Sequence, residues 1–445
     1  MYGEVFIYFI TLLLMKNRWL SGALPAVMIH ISIGSVYAFS VLTNHIMDNT
    51  GIFEKATVTR AFSIAIFFLG MSAAFLGNYV EKIWPRKSAL ICWAFFGIGL
   101  IGSGIAALLH SLPLLFLFYG VIGGIGLGVG YITPVKTLIR WFYDRKGFAT
   151  GIAVMGFGFA AMIAGPLMEA LISSLGLANM FFVLGACYMV LIFTASRLIS
   201  PPPEDYEKAT SWKLKAESWK IKAATQPCVV PQNCGESVVL EQYSTSQAVR
   251  KISFYALWFM LFVNISSGIS LLAVASPMLQ DKFPLIMTAT VAATVVGIIS
   301  LCNGIGRFAW SSLSDFIGRP IVYSGFLILQ AGLFLGLAFT QNPVVFQALL
   351  FVIASCYGAG FACIPAYLSD MYGTKNVSAI HGRVLTAWAC AGVIGPFFTT
   401  WAVKTSGGYT GILVYISIAL VLAFAVSIVA ARAYVKRHGS LKLRG

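Results

Sequence analysis

Twelve stretches of this chain are long and apolar enough to cross a lipid bilayer, and nothing else in the sequence limits its fold so strongly. They run from Trp19 to Ile46, Thr57 to Val80, Ser88 to Leu109, Pro113 to Trp141, Gly147 to Leu171 and Leu177 to Leu198. The second set runs from Ile252 to Leu279, Leu285 to Leu313, Ile321 to Thr340, Pro343 to Leu368, Ser378 to Val403 and Tyr409 to Ala433. A helix needs about 20 such residues to span the hydrocarbon core. Lipid offers no hydrogen-bond partner to an open backbone, so the expected fold is an all-α membrane protein with twelve transmembrane helices. Composition agrees: 59% of residues are hydrophobic and 10% charged, with a mean hydropathy of +0.86.

A formal charge of +15 would suit a nucleic-acid binder, but its placement along the chain argues against one. Of the 30 Lys and Arg, Lys136 and Arg307 fall inside spans, and Lys55, Arg60, Lys282 and Lys404 lie on one side. The other 24 lie on the opposite side, which the positive-inside rule makes cytoplasmic, together with both termini. The expected partner for most of this charge is the anionic inner-leaflet lipid of a plasma (inner) membrane. Residues 1–18 read as an N-terminal cytoplasmic or interfacial segment. Val5 to Leu14 is too short to span, and no small-residue cleavage site follows it.

The polar stretch 200–251 opens with Pro201, Pro202 and Pro203 and separates two six-helix halves, 19–199 and 252–435, with a basic tail at 436–445. Within it, Trp212 to Ala224 alternates Trp, Leu and Ile with four lysines. It suits either an interfacial helix or a disordered tether. The halves repeat. Gly77, Glu81, Lys82, Arg86 and Lys87 follow the loop pattern G-x3-[DE]-[RK]-x-G-x-[RK]-[RK], with Trp84 in place of the second glycine. Ser311, Asp315, Gly318 and Arg319 occupy the equivalent loop of the second half. Gly128, Gly130 and Tyr131 answer to Gly358, Gly360 and Phe361, and Gly165–Pro166 to Gly395–Pro396. Parallel six-helix repeats place a solute site near the midplane, between the halves.

Chemistry concentrates on one residue. Arg307 lies inside an apolar span, where a fixed cation costs about 2.5–3.5 kcal/mol on insertion scales. It reads as a buried anchor for an anionic solute, or as an interhelical clamp onto backbone carbonyls. Asn303 shares its helical face, four residues earlier, and either holds the guanidinium or bonds the solute. Lys136 lies about 6 Å deeper than Arg140 by helical rise. It is a second cation for the solute or a side chain snorkelling to the inner interface. His30 is read as the one deep histidine, a possible proton site. Glu169 and Asp370, near span ends, read as gate or loop ion pairs. The series Gly120, Gly124, Gly128 lacks the strand and the lysine of a phosphate loop, so it reads as close helix packing. The eight cysteines show no metal-ligand spacing, Cys228 and Cys234 should stay reduced in a cytoplasmic loop, and no catalytic set is apparent. Neither a cofactor, a metal nor an enzymatic activity is expected.

From Arg18 and Trp19 to its C-terminus the chain resembles the oxalate/formate antiporter family of the major facilitator superfamily. The residues that carry the likeness are Gly34, Tyr37 and Ser40; Arg140, Trp141, Phe142, Arg145, Lys146 and Gly147; Cys302, Asn303, Gly304, Arg307, Trp310, Ser314, Asp315, Gly318 and Arg319; and Pro365, Ser369, Asp370 and Gly373. The resemblance implies that Arg307 grips a substrate carboxylate, bidentately if the cavity is dry. It implies that Tyr37, Tyr131, Tyr357 and Phe361 line the cavity, and that Gly77, Glu81, Arg86, Asp315, Gly318 and Arg319 form the cytoplasmic gate. The family's oxalate exchanger has a lysine where Trp388 stands here. One arginine balances a monoanion and leaves a dianion uncompensated, so formate, lactate or pyruvate moves ahead of oxalate, and Trp388 favours a ligand with an apolar end.

The leading expectation is a secondary carrier of small carboxylates, acting as a monomer. Two alternatives stand beside it: a carrier of another solute with Arg307 structural, and a transport-derived sensor using the long loop.

Overall fold

The computed structural model describes residues 17–203, 206, 242–406 and 408–439. Residues 1–16, the Trp212 to Ala224 segment, Cys228, Cys234 and the tail beyond Gly439 lie outside the described residues. Those that are described form helices joined by short loops. The first half holds α1 (Trp19–Thr50), α2 (Lys55–Lys82), α3 (Pro85–Leu108), α4 (Leu112–Trp141), α5 (Lys146–Leu175) and α6 (Leu177–Leu198). The second holds α7 (Ile252–Lys282), α8 (Ala289–Ile317), α9 (Arg319–Phe339), α10 (Pro343–Tyr372), α11 in two pieces (Val377–Val384 and Thr386–Ser406) and α12 (Tyr409–His438). Among the described residues eleven helices can cross a membrane by length and composition. The Arg307 helix, α8, is not among those eleven, but at 29 residues it has their length and packs against α5 and α10.

The halves meet along two seams related by the repeat, α2 against α11 and α5 against α8. Small residues let these backbones approach. A Cβ added to Gly158 of α5 would stand 2.7 Å from Gly304 Cα and 3.0 Å from Arg307 Cδ. The seam therefore closes directly over the arginine. Along α1, the α-helix tightens to a 3-10 turn over Gly34–Ala38, where Gly34 lies against the Phe157 backbone of α5. A mid-helix 3-10 stretch is a common mark of a functional hinge, and this one carries Tyr37. At the expected gate, Gly318 ends α8 with φ +110°, a conformation that L side chains rarely adopt, which explains a glycine in the loop pattern.

Candidate functional site

Arg307 is fully buried in the seam, 0% exposed. Its Nε donates to Asn303 Oδ1 at 2.9 Å, and Nη1 reaches the Val154 carbonyl of α5 at 3.4 Å. The guanidinium carbon lies 4.6 Å from the Phe361 ring centroid and 5.5 Å from that of Phe157. Cation–π contacts stabilise such a charge without neutralising it. Among the described residues no carboxylate pairs with Arg307, and Nη2 makes no hydrogen bond of ordinary geometry.

Around it the chamber is aromatic. Tyr37 and Tyr357, from opposite halves, touch through their hydroxyls at 3.1 Å. Trp388 is 0% exposed and packs on Phe361 (4.5 Å between centroids), Tyr131 (5.2 Å), Phe157 (5.5 Å) and Tyr37 (6.1 Å). Tyr37 also interacts with Arg307 and Trp388. Even so, Trp388 Nε1 and the Tyr131 hydroxyl, like Arg307 Nη2, make no hydrogen bond of ordinary geometry. All three can donate, and a buried donor left unpaired costs about 1–3 kcal/mol. The chamber offers donors to a ligand that brings acceptors.

Toward the expected cytoplasmic end lies a second charged region, built twice. In the first half Glu81 Oε1 binds Arg140 Nη2 at 2.9 Å and Lys136 Nζ at 3.2 Å, while Oε2 accepts the Ser378 amide at the start of α11 at 3.0 Å. In the second, Asp315 accepts the Gly147 and Phe148 amides at the start of α5, at 2.9 and 2.7 Å. Each carboxylate thus caps the N-terminus of a helix in the opposite half, where exposed amides and the helix dipole favour negative charge. Arg319 joins Asp315 to Asp370, whose other oxygen takes Lys146 Nζ at 2.9 Å. These contacts latch the halves together.

The expected binding residues Arg307, Asn303, Tyr37, Tyr131, Tyr357, Phe361 and Trp388 are brought together in one chamber. Asn303 lends its oxygen to the guanidinium. Lys136 is not brought there: its ammonium is buried against the carbonyls of Val80 and Glu81 and the Glu81 carboxylate. The expectation of Lys136 as a second substrate cation is corrected on that ground, because its ammonium is held at Glu81 and the Val80 and Glu81 carbonyls, away from the chamber. Nor does it snorkel freely, being 4% exposed. Of the gate residues, Glu81, Asp315 and Arg319 form the latch, Gly77 lets α2 approach Ala379, and Arg86 instead caps α6 through the Ser196 and Arg197 carbonyls. His30 is buried, but it is not the one deep histidine: His381 is 1% exposed. Glu169 pairs with His45, and Asp370 with Lys146 and Arg319. Sequence reasoning missed Phe157, whose ring reaches the guanidinium. Its only signal was the flanking pair Gly156 and Gly158.

The Major Facilitator Superfamily model matches residues 6–285 and 257–444. Among curated proteins the chain is 25% identical to the oxalate:formate antiporter of Oxalobacter formigenes, over 93% of the chain and 91% of that protein. It is 23% identical to apicoplast pyruvate carrier 1 of Toxoplasma gondii, covering 88% and 85%. With monocarboxylate transporter 12 of Xenopus laevis identity is 25%, covering 81% and 83%. The transporter FucP, solved in its outward conformation, shares the fold with a TM-score of 0.66 at 14% identity, over 91% of this chain and 97% of that one. The chain belongs to the Major Facilitator Superfamily: it is an integral multi-pass membrane protein of transporter fold, and not an enzyme.

Proposed function

We propose that this protein is a secondary carrier of small monocarboxylates, formate, lactate or pyruvate, moved by alternating access between the two halves. Arg307 binds the carboxylate. The observation that carries this reading is a fully buried guanidinium with no carboxylate partner, one free nitrogen and unpaired tyrosine and tryptophan donors around it. Relatives named for oxalate and formate, pyruvate and monocarboxylate transport support the solute class.

A bound monoanion neutralises Arg307, and the Asn303 bond fixes the guanidinium so that its free edge faces the solute. Tyr131 and Trp388 supply further donors, while Phe157, Phe361 and the Trp388 ring cover an apolar end. Substrate drawing on both halves holds them closed, and opening on the cytoplasmic side requires release of the Glu81 and Asp315 caps. Oxalate exchange would need a second cation, and Lys136 is bound to Glu81. The full reading has twelve spans, the termini and the 200–251 loop in the cytoplasm of a plasma (inner) membrane, and a working monomer. A cysteine at Lys213 should then resist an impermeant probe added outside intact cells.

Counterflow in proteoliposomes loaded in turn with formate, lactate, pyruvate and oxalate tests the reading. A monocarboxylate should exchange fastest. Oxalate outrunning all three would overturn the charge count, and no carboxylate exchanging at all would overturn the solute class.

A further inference from the structure

Two histidines from opposite halves converge on Tyr131. His30 of α1 and His381 of the first piece of α11 lie 5.2 and 5.9 Å from its ring centroid. Both are buried, at 0% and 1% exposed. His30 Nε2 lies 3.2 Å from the Tyr131 carbonyl. A carbonyl only accepts, so the hydrogen sits on Nε2, and in the neutral ring Nδ1 keeps its lone pair. His381 Nε2 and the Tyr131 hydroxyl are buried without a hydrogen-bond partner, and His30 Nδ1 makes no hydrogen bond of ordinary geometry, although His30 also interacts with the Ala153 backbone of α5. Anion binding by Arg307 does not require either imidazole.

Most charged groups on the surrounding elements are paired elsewhere, but Nη1 of Arg383, two residues from His381, is buried without a hydrogen-bond partner. Glu81, Lys136 and Arg140 of α2 and α4 form one cluster, and Lys146 of α5 is bound to Asp370 of α10. Glu169 of α5 pairs with His45, and Arg197 of α6 lies over the Phe193 ring. Arg383 shares the short helix with His381. The neighbouring tyrosines are Tyr37, Tyr131, Tyr357 and Tyr188, and Cys390 lies in the second piece of α11. The charged groups that act on the pair are Arg307, which bears on His30, and the imidazoles themselves, since His30 bears on His381.

We propose that His30 and His381, with Tyr131 between them, bind the proton that travels with the anion, so that the carrier works as a proton–anion symporter. The proposal rests on the carboxylate reading of Arg307. The proton adds to an imidazole lone pair from one side of the membrane and leaves from the same nitrogen to the other. No other bond changes. A protonated His30 beside a bare Arg307 is repelled, and a carboxylate on Arg307 cancels that repulsion. Anion and proton therefore favour each other's binding, and by linkage the coupling is reciprocal.

The latch supplies the release step. His381 lies one turn beyond Ser378, whose amide Glu81 caps, and Gly382 packs directly on the Ala73 carbonyl of α2. A movement of α11 that frees Glu81 draws His381 away from His30 and Tyr131, and the pair separates.

The test compares wild type with His30→Gln and His381→Gln in proteoliposomes. Net lactate, pyruvate and formate uptake is measured with and without an acid exterior, corrected for protein-free vesicles, beside counterflow at symmetric pH. Wild-type net uptake should rise by about tenfold under the gradient, within the usual range of two-site coupling. Both variants should keep counterflow and lose the gradient response. Wild-type uptake indifferent to the gradient, or an intact response in both variants, would overturn the proposal.

Failure of the carboxylate reading would show separately, as absent counterflow in wild type. Tryptophan emission titrated with pH in the anion-free protein then decides. A pH-dependent component present in wild type and missing from Trp388→Phe supports the proton site, because Trp388 packs on Tyr131. Its absence from wild type overturns it.

Discussion

Arg307 and Arg319 are equally buried, at 0% and 1% exposed, and both lie where the halves meet, yet their surroundings differ in one respect. Arg319 holds two carboxylates, Asp315 and Asp370, and the Ser314 hydroxyl. Arg307 holds an amide oxygen and a backbone carbonyl and faces two aromatic rings, with one nitrogen unbonded. A buried arginine with its counter-charges built in fastens structure. One with none is energetically incomplete until something else supplies the charge, and that difference separates the latch from the proposed transport site.

Alanine at each position should break the comparison most sharply. Arg307→Ala should cut carboxylate transport by at least about 30-fold, the lower end for truncating one partner of a buried charged pair. It should leave a monodisperse protein, since no carboxylate is stranded. Arg319→Ala strands Asp315 and Asp370 and should cost about 3–5 kcal/mol of stability, seen as a lowered melting temperature or aggregation in detergent. Reversed outcomes would make Arg307 the clamp.

Smaller changes sharpen the same contrast. Arg307→Lys keeps the charge and loses the fork, so transport should fall by about tenfold without being abolished. Trp388→Lys places a second cation in the chamber and should shift the oxalate-to-lactate rate ratio toward oxalate by about tenfold, if the added charge is worth about 1.4 kcal/mol. Tyr37→Phe removes the hydroxyl and with it the contacts to Tyr357, Arg307 and Trp388, and a hydrogen bond is worth about 0.5–1.5 kcal/mol. A rise of a few-fold in KM, measured by initial uptake rates, is expected.

Much of this was legible in the sequence, for reasons that differ by residue. Arg307 stood out because a charge in an apolar run has no inexpensive explanation. The latch carboxylates stood out because the loop pattern occurs twice, though which amides they cap depends on how the halves dock. The choice between the two readings of Lys136 could not be made from sequence because helical rise gives depth and not direction. Lys136 lies one turn from Arg140 on the same face, so both cations reach Glu81 across the α2–α4 contact. His381 was overlooked because it lies close to the beginning of its span, where a histidine ordinarily meets solvent. Packing of the short first piece of α11 against α2, α4 and α10 buries it. Phe157 left no mark beyond its flanking glycines, since a phenylalanine in an apolar helix is ordinary until its neighbours are known.

The claim that Arg307 awaits a carboxylate is tested most directly by ligand-induced stabilisation of the purified protein. The monocarboxylate that exchanges best is compared with its uncharged amide, in wild type and in Arg307→Ala. At about 100 times the dissociation constant a ligand adds about 2.7 kcal/mol of stability. The account predicts a raised melting temperature for wild type with the acid, and none with the amide or in the alanine variant. Equal stabilisation by acid and amide, or an undiminished shift in Arg307→Ala, would contradict it.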